Sequence, residues 1–598
     1  MSISRDVASL EKSFLLPINL QSQSWSARRQ SRVVRSFKPI ICIAVAALLS
    51  TAIFLFSTYD ISAFTSQHPI VSSRGLCPQE DVLIPRINFE LWTAIGEEIG
   101  TTAFKASAIH WLSGAVQIET ETYDDMGPVG EEPRWENRLL FHEYLEKAFP
   151  LVHTVLKVEK INKYGLLYTW QGTNVSLKPS LLMAHFDVVP VNPDTLSEWA
   201  YPPYSGWFDG QLIWGRGSND DKSGLIGTIG AIEVLLRYGF QPSRTFVAAF
   251  GFDEEGGGSR GAKELAATML HRYGEHSFAL IIDEGGGFSE KFGTVFATPG
   301  IAEKGSVNID LSIAAPGGHS SIPPEHTSIG ILSALLVHLE NHPFEVHIER
   351  ETSSYQMFQC FAEYGATIPA ALRDAIKQSA SSDVALREVE AILFQDQWFK
   401  SLVGTTQAVD MIHGGVKSNA LPEQAWAVVN HRIATTSSVN ATVEHVVDLF
   451  LPLAKEFDLE FSTSGKTIST PETDPKGSLK LTTSFGLEPA PISPFRGDKS
   501  APYQLLSGTI KATYNAHRDL SGDNIAVGPG MPTGNTDTKH YWPLSEHIFR
   551  YKHHNGGSSN NPLSGAHTVN ESFSADSLLE TVQFFVTLIL NIDESNEL

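Results

Sequence analysis

The sequence predicts an α/β fold with a mostly parallel central sheet, interrupted by a smaller α/β domain. Short β-rich runs at 180–184, 245–250 and 278–282 alternate with amphipathic helical patterns such as the one at 224–238. Strands and helices that alternate in this way are typical of βαβ units and a parallel sheet. With 598 residues, the chain also exceeds what one hydrophobic core usually serves, so more than one packed unit is expected.

An uncharged apolar stretch of 21 residues, 39–59, precedes the globular part. As a helix rising about 1.5 Å per residue, it is just long enough to span a hydrocarbon core of roughly 30 Å. Basic residues precede the stretch and Asp60 follows it, so the positive-inside rule makes 1–38 a cytosolic tail and places the rest of the chain in a lumen. A cleaved signal peptide is the main alternative, but its basic region would lie nearer the start and its apolar core would be shorter. The preceding basic residues are Arg28, Arg29, Arg32, Arg35 and Lys38.

Charge and cysteine content exclude several classes of function. The tail carries net +5 and the whole chain −23, which leaves −28 on the remainder, and an acidic domain repels nucleic acid. Of three cysteines, Cys42 lies in the apolar stretch, so Cys77 and Cys360 could form at most one intrachain disulfide. The absence of a Cys-x-x-Cys motif argues against a thiolate metal site or a redox role. Sequons that fit a glycosylated lumenal domain occur at Asn174, Asn440 and Asn570.

Composition divides the lumenal part into segments. Residues 60–85 lack periodicity and are rich in Ser, Gly and Pro, which predicts a stalk. The first domain is expected to begin at 86 and to continue to 301. A second domain with its own strands and helices, including a charged helical insert near 370–400, is predicted at 302–455. The first domain then resumes at 456–598 and ends in a helix.

Acidic and imidazole side chains follow three predicted strands and one loop of the first domain. Strand ends of this kind are where open α/β sheets bind ligands. Imidazole and carboxylate groups without thiolates suit Zn²⁺ or a similar divalent ion. Taken by itself, Glu254-Glu255 could be a solvated pair at a strand end. A buried pair, however, needs a compensating cation or a proton. Because acidic residues recur at several strand ends, the sequence favours a metal site. The motifs are His185-Phe-Asp187, Asp220-Asp221, Asp253-Glu254-Glu255 and Asp283-Glu284.

These motifs, in this order, resemble the dinuclear zinc peptidases and amidases, a family that includes aminoacylase, glutamate carboxypeptidase and vacuolar carboxypeptidase S. The resemblance extends from about residue 76 to the C-terminus, and the anchor-and-stalk arrangement resembles the carboxypeptidase S group. It implies that His185 is a terminal zinc ligand, Asp220 the carboxylate that bridges two zinc ions, and Glu255 a ligand of the second ion. Asp187 would orient His185, and Glu254 would be the general base.

Two further ligands depend on the resemblance. In Asp283-Glu284-Gly either acid could bind metal, and the family pattern favours Asp283 because it directly follows the strand. Among the late histidines, only the one in Gly565-Ala-His567-Thr-Val-Asn-Glu matches the family's terminal motif. The expected cofactor is therefore two Zn²⁺ ions per subunit.

Substrate-binding residues are also implied by resemblance. The motif at Gly317-Gly-His319-Ser resembles one whose histidine reaches the active site of the partner subunit in a homodimer. Asn419 and Arg432 match substrate-binding positions, and an exopeptidase requires such groups to recognise a free carboxylate. Lys539 stands where the family commonly has arginine, so its contribution to carboxylate binding is open.

Three functions follow from these features. A metallo-carboxypeptidase that acts on small peptides in the vacuole or secretory pathway, held to the membrane by one helix, is favoured because the anchor suits an enzyme delivered to a degradative compartment. An amidase that cleaves or condenses N-acyl amino acids would use the same zinc pair. An inactive receptor ectodomain would have lost ligands or the base, and neither loss occurs.

Overall fold

The structure is a computed structural model that describes residues 75–558, 561–562 and 565–598. The predicted cytosolic tail, the membrane anchor and most of the stalk lie outside the described residues. The helices are α1 (Phe89–Ile99), α2 (Thr102–Val116), α3 (Asn137–Ala148), α4 (Pro150–Val155), α5 (Lys222–Arg237), α6 (Ala262–Tyr273), α7 (Ser328–Asn341), α8 (Ser353–Tyr364), α9 (Ala370–Ser379), α10 (Asp383–Leu393), α11 (Gln397–Val403), α12 (Val439–Glu456), α13 (Ala501–His517) and α14 (Ala575–Glu594).

The strands are β1 (Lys157–Ile161), β2 (Gly165–Trp170), β3 (Ser180–His185), β4 (Trp207–Phe208), β5 (Leu212–Trp214), β6 (Phe246–Gly251), β7 (Ile281–Asp283), β8 (Phe288–Lys291), β9 (Thr294–Ala297), β10 (Gly305–Ala314), β11 (Gly318–His319), β12 (Thr406–Gly414), β13 (Ala420–Leu421), β14 (Gln424–Ile433), β15 (Leu459–Thr463), β16 (Lys466–Ser469), β17 (Gly477–Leu487), β18 (Ala526–Val527), β19 (Ile548–Arg550), β20 (Asn555–Ser558), β21 (Asn561–Pro562) and β22 (Ser572–Ser574).

The first sheet has the strand order β1-β2-β6-β3-β7-β19. Strands β6, β3, β7 and β19 run parallel, as predicted, and β3 and β6 are buried along their whole length. Strands β1 and β2 are antiparallel to their neighbours, so the sheet is mixed. The antiparallel edge arises because β1 and β2 form a hairpin whose turn residues Asn162 and Lys163 have positive φ.

Helices α5 and α14 cover one face of this sheet. They approach closely because α5 carries Gly227, where an added Cβ would lie 2.5 Å from Thr581 Cγ2. Ser574 caps the start of α14, and its hydroxyl accepts hydrogen bonds from two backbone amides of the first turn. In the part of the chain that the structure describes, α14 alone is long and apolar enough to cross a membrane, but 94% of its apolar window is buried against the protein. It is therefore a core helix.

The second sheet has the order β12-β14-β10-β17-β15-β16. Buried residues alternate along β10 and β14, and the buried face packs against α7 and α12. This sheet continues beyond the expected boundary at 455, because β17 pairs with β10 along nearly its whole length and β15 pairs with β17. The polar, Ser/Thr-rich sequence of β17 gives it too weak an alternation to be recognised as a strand from the sequence.

The helical insert α8 to α11 surrounds a separate hydrophobic core. Cys77 belongs to this core and is joined to Cys360 of α8 by a disulfide, the pairing that the sequence left open. The last residues of the predicted stalk, 75–85, therefore lie against the folded unit, and the Leu83 amide donates to the Gly508 carbonyl at 3.0 Å. A single disulfide and a backbone hydrogen bond of this kind are not visible in the composition of the segment.

A buried histidine predicts sensitivity of the second sheet to acid. His431 in β14 is fully buried and lies edge-on to Phe344, which in turn lies 4.2 Å from His445, measured between ring centroids. Burial and the nearby His445 lower the pKa of His431 to about 4, whereas an exposed histidine has a value of about 6.5. Between these two values the unfolded chain binds the extra proton, so the free energy of unfolding falls as the pH falls.

We expect His431→Leu to remove this contribution. Between pH 7 and pH 5 the variant should lose about 2 kcal/mol less stability than the unmodified protein. Urea denaturation at the two pH values measures the difference, and His110→Leu on the exposed surface of α2 is the matched control. Parallel losses in the His431→Leu variant and the unmodified protein would contradict the prediction.

Candidate metal centre

Five segments of the first domain converge at the carboxyl end of its sheet. Strand β3 ends at His185, β6 leads into the short helical turn Glu254–Gly256, and β7 leads into Glu284. The loop before α5 contributes Asp220, and the loop before β22 contributes His567. The parallel strands bring these residues to one edge, as the sequence predicted.

One group of donor atoms surrounds His185, whose side chain is almost completely buried. Its Nε2 atom lies 3.1 Å from Asp220 Oδ1 and 3.5 Å from Glu284 Oε2. Atoms of His185, Glu254 and Glu284 that could bind metal all lie within 4.8 Å of one another. His185, Asp220 and Glu284 can therefore supply a nitrogen and two carboxylates to one cation, with Glu254 beside them.

A second group shares Asp220 with the first. His567 Nε2 lies 3.2 Å from Asp220 Oδ2 and 3.1 Å from Glu255 Oε1. Asp220 therefore contacts one imidazole with each of its two oxygens. These contacts bring His567 to the site although its side chain is about half exposed. Atoms of His185, Asp220 and Glu255 also lie within 4.8 Å of one another.

The donor set fits divalent metal. Burial, with the charges of Asp220 and Asp221, raises the pKa of Glu284 to about 8 although His185 opposes the shift. Burial and the charge of Glu284 likewise hold the pKa of Glu254 well above its ordinary value. Crowded, buried carboxyl groups of this kind are costly unless a cation compensates them. Nitrogen and oxygen donors without sulfur suit Zn²⁺ and similar ions.

Asp187 supports both halves of the centre. Its buried carboxylate accepts the backbone amides of Glu254 at 3.0 Å and Glu255 at 3.1 Å, and one of its oxygens lies 3.4 Å from His185 Nδ1. It therefore fixes the imidazole and the glutamate turn relative to each other, which supports the orienting role that the resemblance implied.

Glu284, and not Asp283, faces His185. Asp283 is buried with 3% exposure and belongs to neither group of donor atoms within the described residues. Successive residues of a strand point to opposite faces, so the neighbours at the end of β7 cannot both reach His185. The family pattern favoured Asp283, but the structure brings the other acid of the pair into the site.

Glu571 is a buried residue of the centre that sequence reasoning did not single out, although it ends the His567 motif. Its carboxylate accepts the backbone amides of Gly217, Asn219 and Asp220 at 2.9 to 3.1 Å and pairs with Arg216 at 2.6 Å. Glu571 thus shapes the loop that presents Asp220.

Lys552 holds the same loop from another side, and no sequence motif marked it. Its Nζ atom lies 2.7 Å from Asp221 Oδ1 and 3.1 Å from Ser223 Oγ, and it also donates to the Asn219 carbonyl. Burial of this ion pair makes the two charges dependent on each other. The position of Asp220 is therefore determined by two buried ion pairs.

Removal of the Glu571 carboxylate should destabilise the loop. We expect Glu571→Ala to lower the free energy of unfolding by about 3 to 5 kcal/mol, because it leaves three amides and a buried guanidinium without an acceptor. Metal content should fall with it, since Asp220 loses its support. Glu571→Gln keeps the shape and one acceptor oxygen, so it should lose less stability; calorimetry and metal analysis compare the two variants. Equal stability of Glu571→Ala and the unmodified protein would contradict the expectation.

The predicted substrate-binding residues lie on the second domain. His319 and Asn419 are exposed and come together where β11 pairs with β13, and the Ser320 amide donates to the Asn419 carbonyl at 3.2 Å. Arg432 is half-buried in β14 and donates to Asn535 Oδ1 at 2.8 Å. Among the described contacts, none joins these three residues to the donor groups of the centre.

A cavity of 370 Å³ adjoins the centre. Asp220 and Glu284 form one wall, and the floor is the glycine run Gly285 to Gly287. An added Cβ at Gly287 would lie 2.0 Å from the His554 carbonyl oxygen, so only glycine allows this close approach. The cavity is large enough to take a side chain or an acyl group beside the metal donors.

The sheet, the donor groups at its carboxyl end and the partly buried Glu254 beside them define a metal-dependent hydrolase. A sequence model of peptidase family M20/M25/M40 matches residues 181–591, and the chain belongs to this family. The predicted membership in a family of metal-dependent peptidases is thereby confirmed.

Alignments with known relatives cover most of the chain. It is 41% identical to carboxypeptidase S of Saccharomyces cerevisiae over 498 residues, which cover 82% of this chain and 85% of that protein. It is 32% identical to the N-fatty-acyl-amino acid synthase/hydrolase PM20D1 of Mus musculus, with 81% of this chain and 88% of that protein covered.

Solved structures share the fold. An M20 family metallo-carboxypeptidase from Sulfolobus solfataricus aligns with a TM-score of 0.55 at 15% identity, over 81% of this chain and 99% of that one. Human carnosine dipeptidase 1 aligns with a TM-score of 0.55 at 14% identity, over 86% of this chain and 100% of that one.

Proposed function

We propose that the protein is a carboxypeptidase that holds two zinc ions and removes the C-terminal residue from small peptides of the Gly-X type. The observation that carries the proposal is the position of Glu254, within 4.8 Å of His185 and Glu284 and next in sequence to Glu255. A carboxylate with a raised pKa beside a metal donor set is suited to general acid/base catalysis. The 41% identity to carboxypeptidase S supports the choice of reaction.

The two ions would share Asp220. His185 and Glu284 would complete one site, and Glu255 and His567 the other. Ions held there would acidify a water and polarise the carbonyl of the scissile bond. Glu254 would accept the proton of the attacking water and then transfer it to the departing amine, so that the peptide bond breaks with no net gain or loss of protons.

Arg432 is our candidate for binding the free carboxylate of the substrate. Within the described residues its only side-chain partner is the neutral amide of Asn535, and no carboxylate pairs with it. A half-buried guanidinium without an acid is available to form a bidentate pair with a substrate carboxylate. Lys539, whose Nζ atom would lie 3.8 Å from a Cβ at Gly257, is a second cation near the glutamate turn.

An N-acyl amino acid amidase is the alternative function. The cavity of 370 Å³ beside Asp220 and Glu284 and the 32% identity to the synthase/hydrolase PM20D1 both support it. The same carboxylate anchor and the same base would serve either acyl group.

Hydrolysis of Cbz-Gly-Leu and of an N-oleoyl amino acid by the purified protein separates the two functions. We expect release of leucine from the dipeptide to exceed cleavage of the fatty-acyl substrate at least tenfold in kcat/KM, and a chelator to abolish it. The opposite preference would make the protein an amidase, and chelator-resistant release would exclude the proposed metal mechanism.

We also propose that the catalytic part lies in the lumen of the vacuole or the secretory pathway, held by the apolar stretch 39–59. The Cys77–Cys360 disulfide supports an oxidising compartment. A homodimer, in which His319 would serve the partner subunit, is proposed on the resemblance and fits the exposed Met411 and Ile412 on edge strand β12.

A further inference from the structure

Asn535 contacts the second sheet at two points, the Arg432 side chain in β14 and the backbone just before β10. Its Oδ1 atom accepts a hydrogen bond from Arg432 Nη1 at 2.8 Å, and its Nδ2 atom donates to the Lys304 carbonyl at 2.5 Å. Lys304 directly precedes β10, and Ser306 of β10 pairs with Arg432 in the sheet. One amide side chain therefore binds the arginine side chain and the backbone beside it.

The residues after Asn535 contact the glutamate turn. Lys539 Nζ lies over Gly257, and His540 Nε2 lies 3.3 Å from the Gly257 carbonyl oxygen. An added Cβ at Gly258 would lie 2.0 Å from Asp537 Oδ1, so the carboxyl of that residue fills the space beside the turn. The segment 535–540 therefore packs directly against the residues that follow Glu254 and Glu255.

The segment is anchored in the core between these two contacts. Thr538 Oγ1 donates to Glu303 Oε2 at 2.9 Å and accepts from Arg550 Nη2 at 2.8 Å, and all three residues are almost completely buried. From Asn535 to Lys539 the chain can extend over at most about 14 Å. The Arg432 guanidinium is thereby connected, through Asn535, to a short segment that packs against the glutamate turn.

We propose that Asn535 is a positioning residue that sets the distance and direction of the Arg432 guanidinium relative to the catalytic centre. A neutral acceptor holds the guanidinium in place without cancelling its charge. An acidic residue at position 535 would instead form an ion pair with the guanidinium and block the substrate carboxylate. Asn535 thus keeps Arg432 directed yet available for the carboxylate of the substrate. The inference rests on the proposed role of Arg432 in the function above.

The test compares Asn535→Ala, Asn535→Asp and Arg432→Ala in the metal-loaded protein. KM and kcat for Cbz-Gly-Leu are measured together with inhibition constants for leucine, which has a free carboxylate, and leucinamide, which lacks it. Asn524→Ala is the matched control, because its side-chain amide bonds Asn515 and Ser521 in a distant turn.

Asn535→Ala should raise KM and the inhibition constant of leucine about tenfold, leave kcat within about twofold and leave leucinamide unaffected. Asn535→Asp keeps nearly the same side-chain shape but adds a negative charge that competes with leucine for Arg432. It should therefore raise the inhibition constant of leucine more than Asn535→Ala does. If Asn535 had only a structural role, its replacement would change the inhibition constants of leucine and leucinamide alike. This outcome would overturn the inference.

Two results separate the inference from the function on which it rests. If Arg432→Ala weakens the binding of leucine but both Asn535 variants bind leucine normally, the positioning role of Asn535 is refuted and the role of Arg432 stands. If leucine binding is unchanged in Arg432→Ala, the carboxylate anchor of the proposed function is refuted, and the inference falls with it.

Discussion

Replacement of Glu254 by glutamine should lower kcat for peptide hydrolysis by about 10³-fold and leave KM and metal content nearly unchanged. The amide has the shape of the carboxylate but cannot accept the proton of the attacking water. The contacts of His567 with Asp220 and Glu255 do not involve Glu254, so that part of the centre should persist. Steady-state kinetics and elemental analysis of the same preparation measure both consequences.

Glu264→Gln, an exposed position on α6, is the matched control for the loss of one carboxylate. It should retain full activity. A Glu254→Gln protein with more than about one tenth of the normal kcat would contradict the role of Glu254 as general base, because another group would then have to accept the proton.

The pair Asp283→Asn and Glu284→Gln should separate the two acids at the end of β7. We expect Glu284→Gln to lose about one metal ion per chain and to lower kcat/KM at least about 100-fold, because Glu284 lies 3.5 Å from His185 Nε2. Asp283→Asn should keep its metal. Burial and the charge of Glu284 hold the pKa of Asp283 well above its ordinary value, so a neutral amide resembles the protonated acid.

Metal analysis by mass spectrometry, with kinetics on the same samples, distinguishes the two variants. Loss of metal from Asp283→Asn with retention in Glu284→Gln would restore the assignment that the family pattern favoured. Each variant is the control for the other, because both remove one carboxylate oxygen from adjacent positions.

The residues of the centre were largely predictable because short motifs carry them. His185 ends one apolar strand and Glu255 follows another, whereas Asp220 and His567 lie in loops, and His567 was predicted from the family resemblance alone. His185, Asp220, Glu255 and His567 are brought together in the structure, and Glu254 and Asp187 lie beside them. The choice between Asp283 and Glu284 depends on which face of the strand each residue occupies. A three-residue strand has too little alternation to reveal it.

The supporting residues could not be predicted, since their partners are distant in sequence. Glu571 binds a loop 351 to 355 residues earlier, and Lys552 binds Asp221 331 residues earlier. Burial makes the removal of one partner of such a pair costly, and burial is a property of the assembled fold. The extension of the second sheet to Leu487 escaped prediction for a related reason, because the polar β17 is recognisable only by its pairing with β10.

The most direct test of the account is to remove all metal from the purified protein with a chelator and to titrate zinc back while Cbz-Gly-Leu hydrolysis is measured. Full activity should return only when about two zinc ions per chain are bound, and the Glu254→Gln protein should bind the same number without recovering hydrolysis. Hydrolysis that persists in the metal-free protein, or that is restored equally in Glu254→Gln, would contradict a metal centre that acts through Glu254.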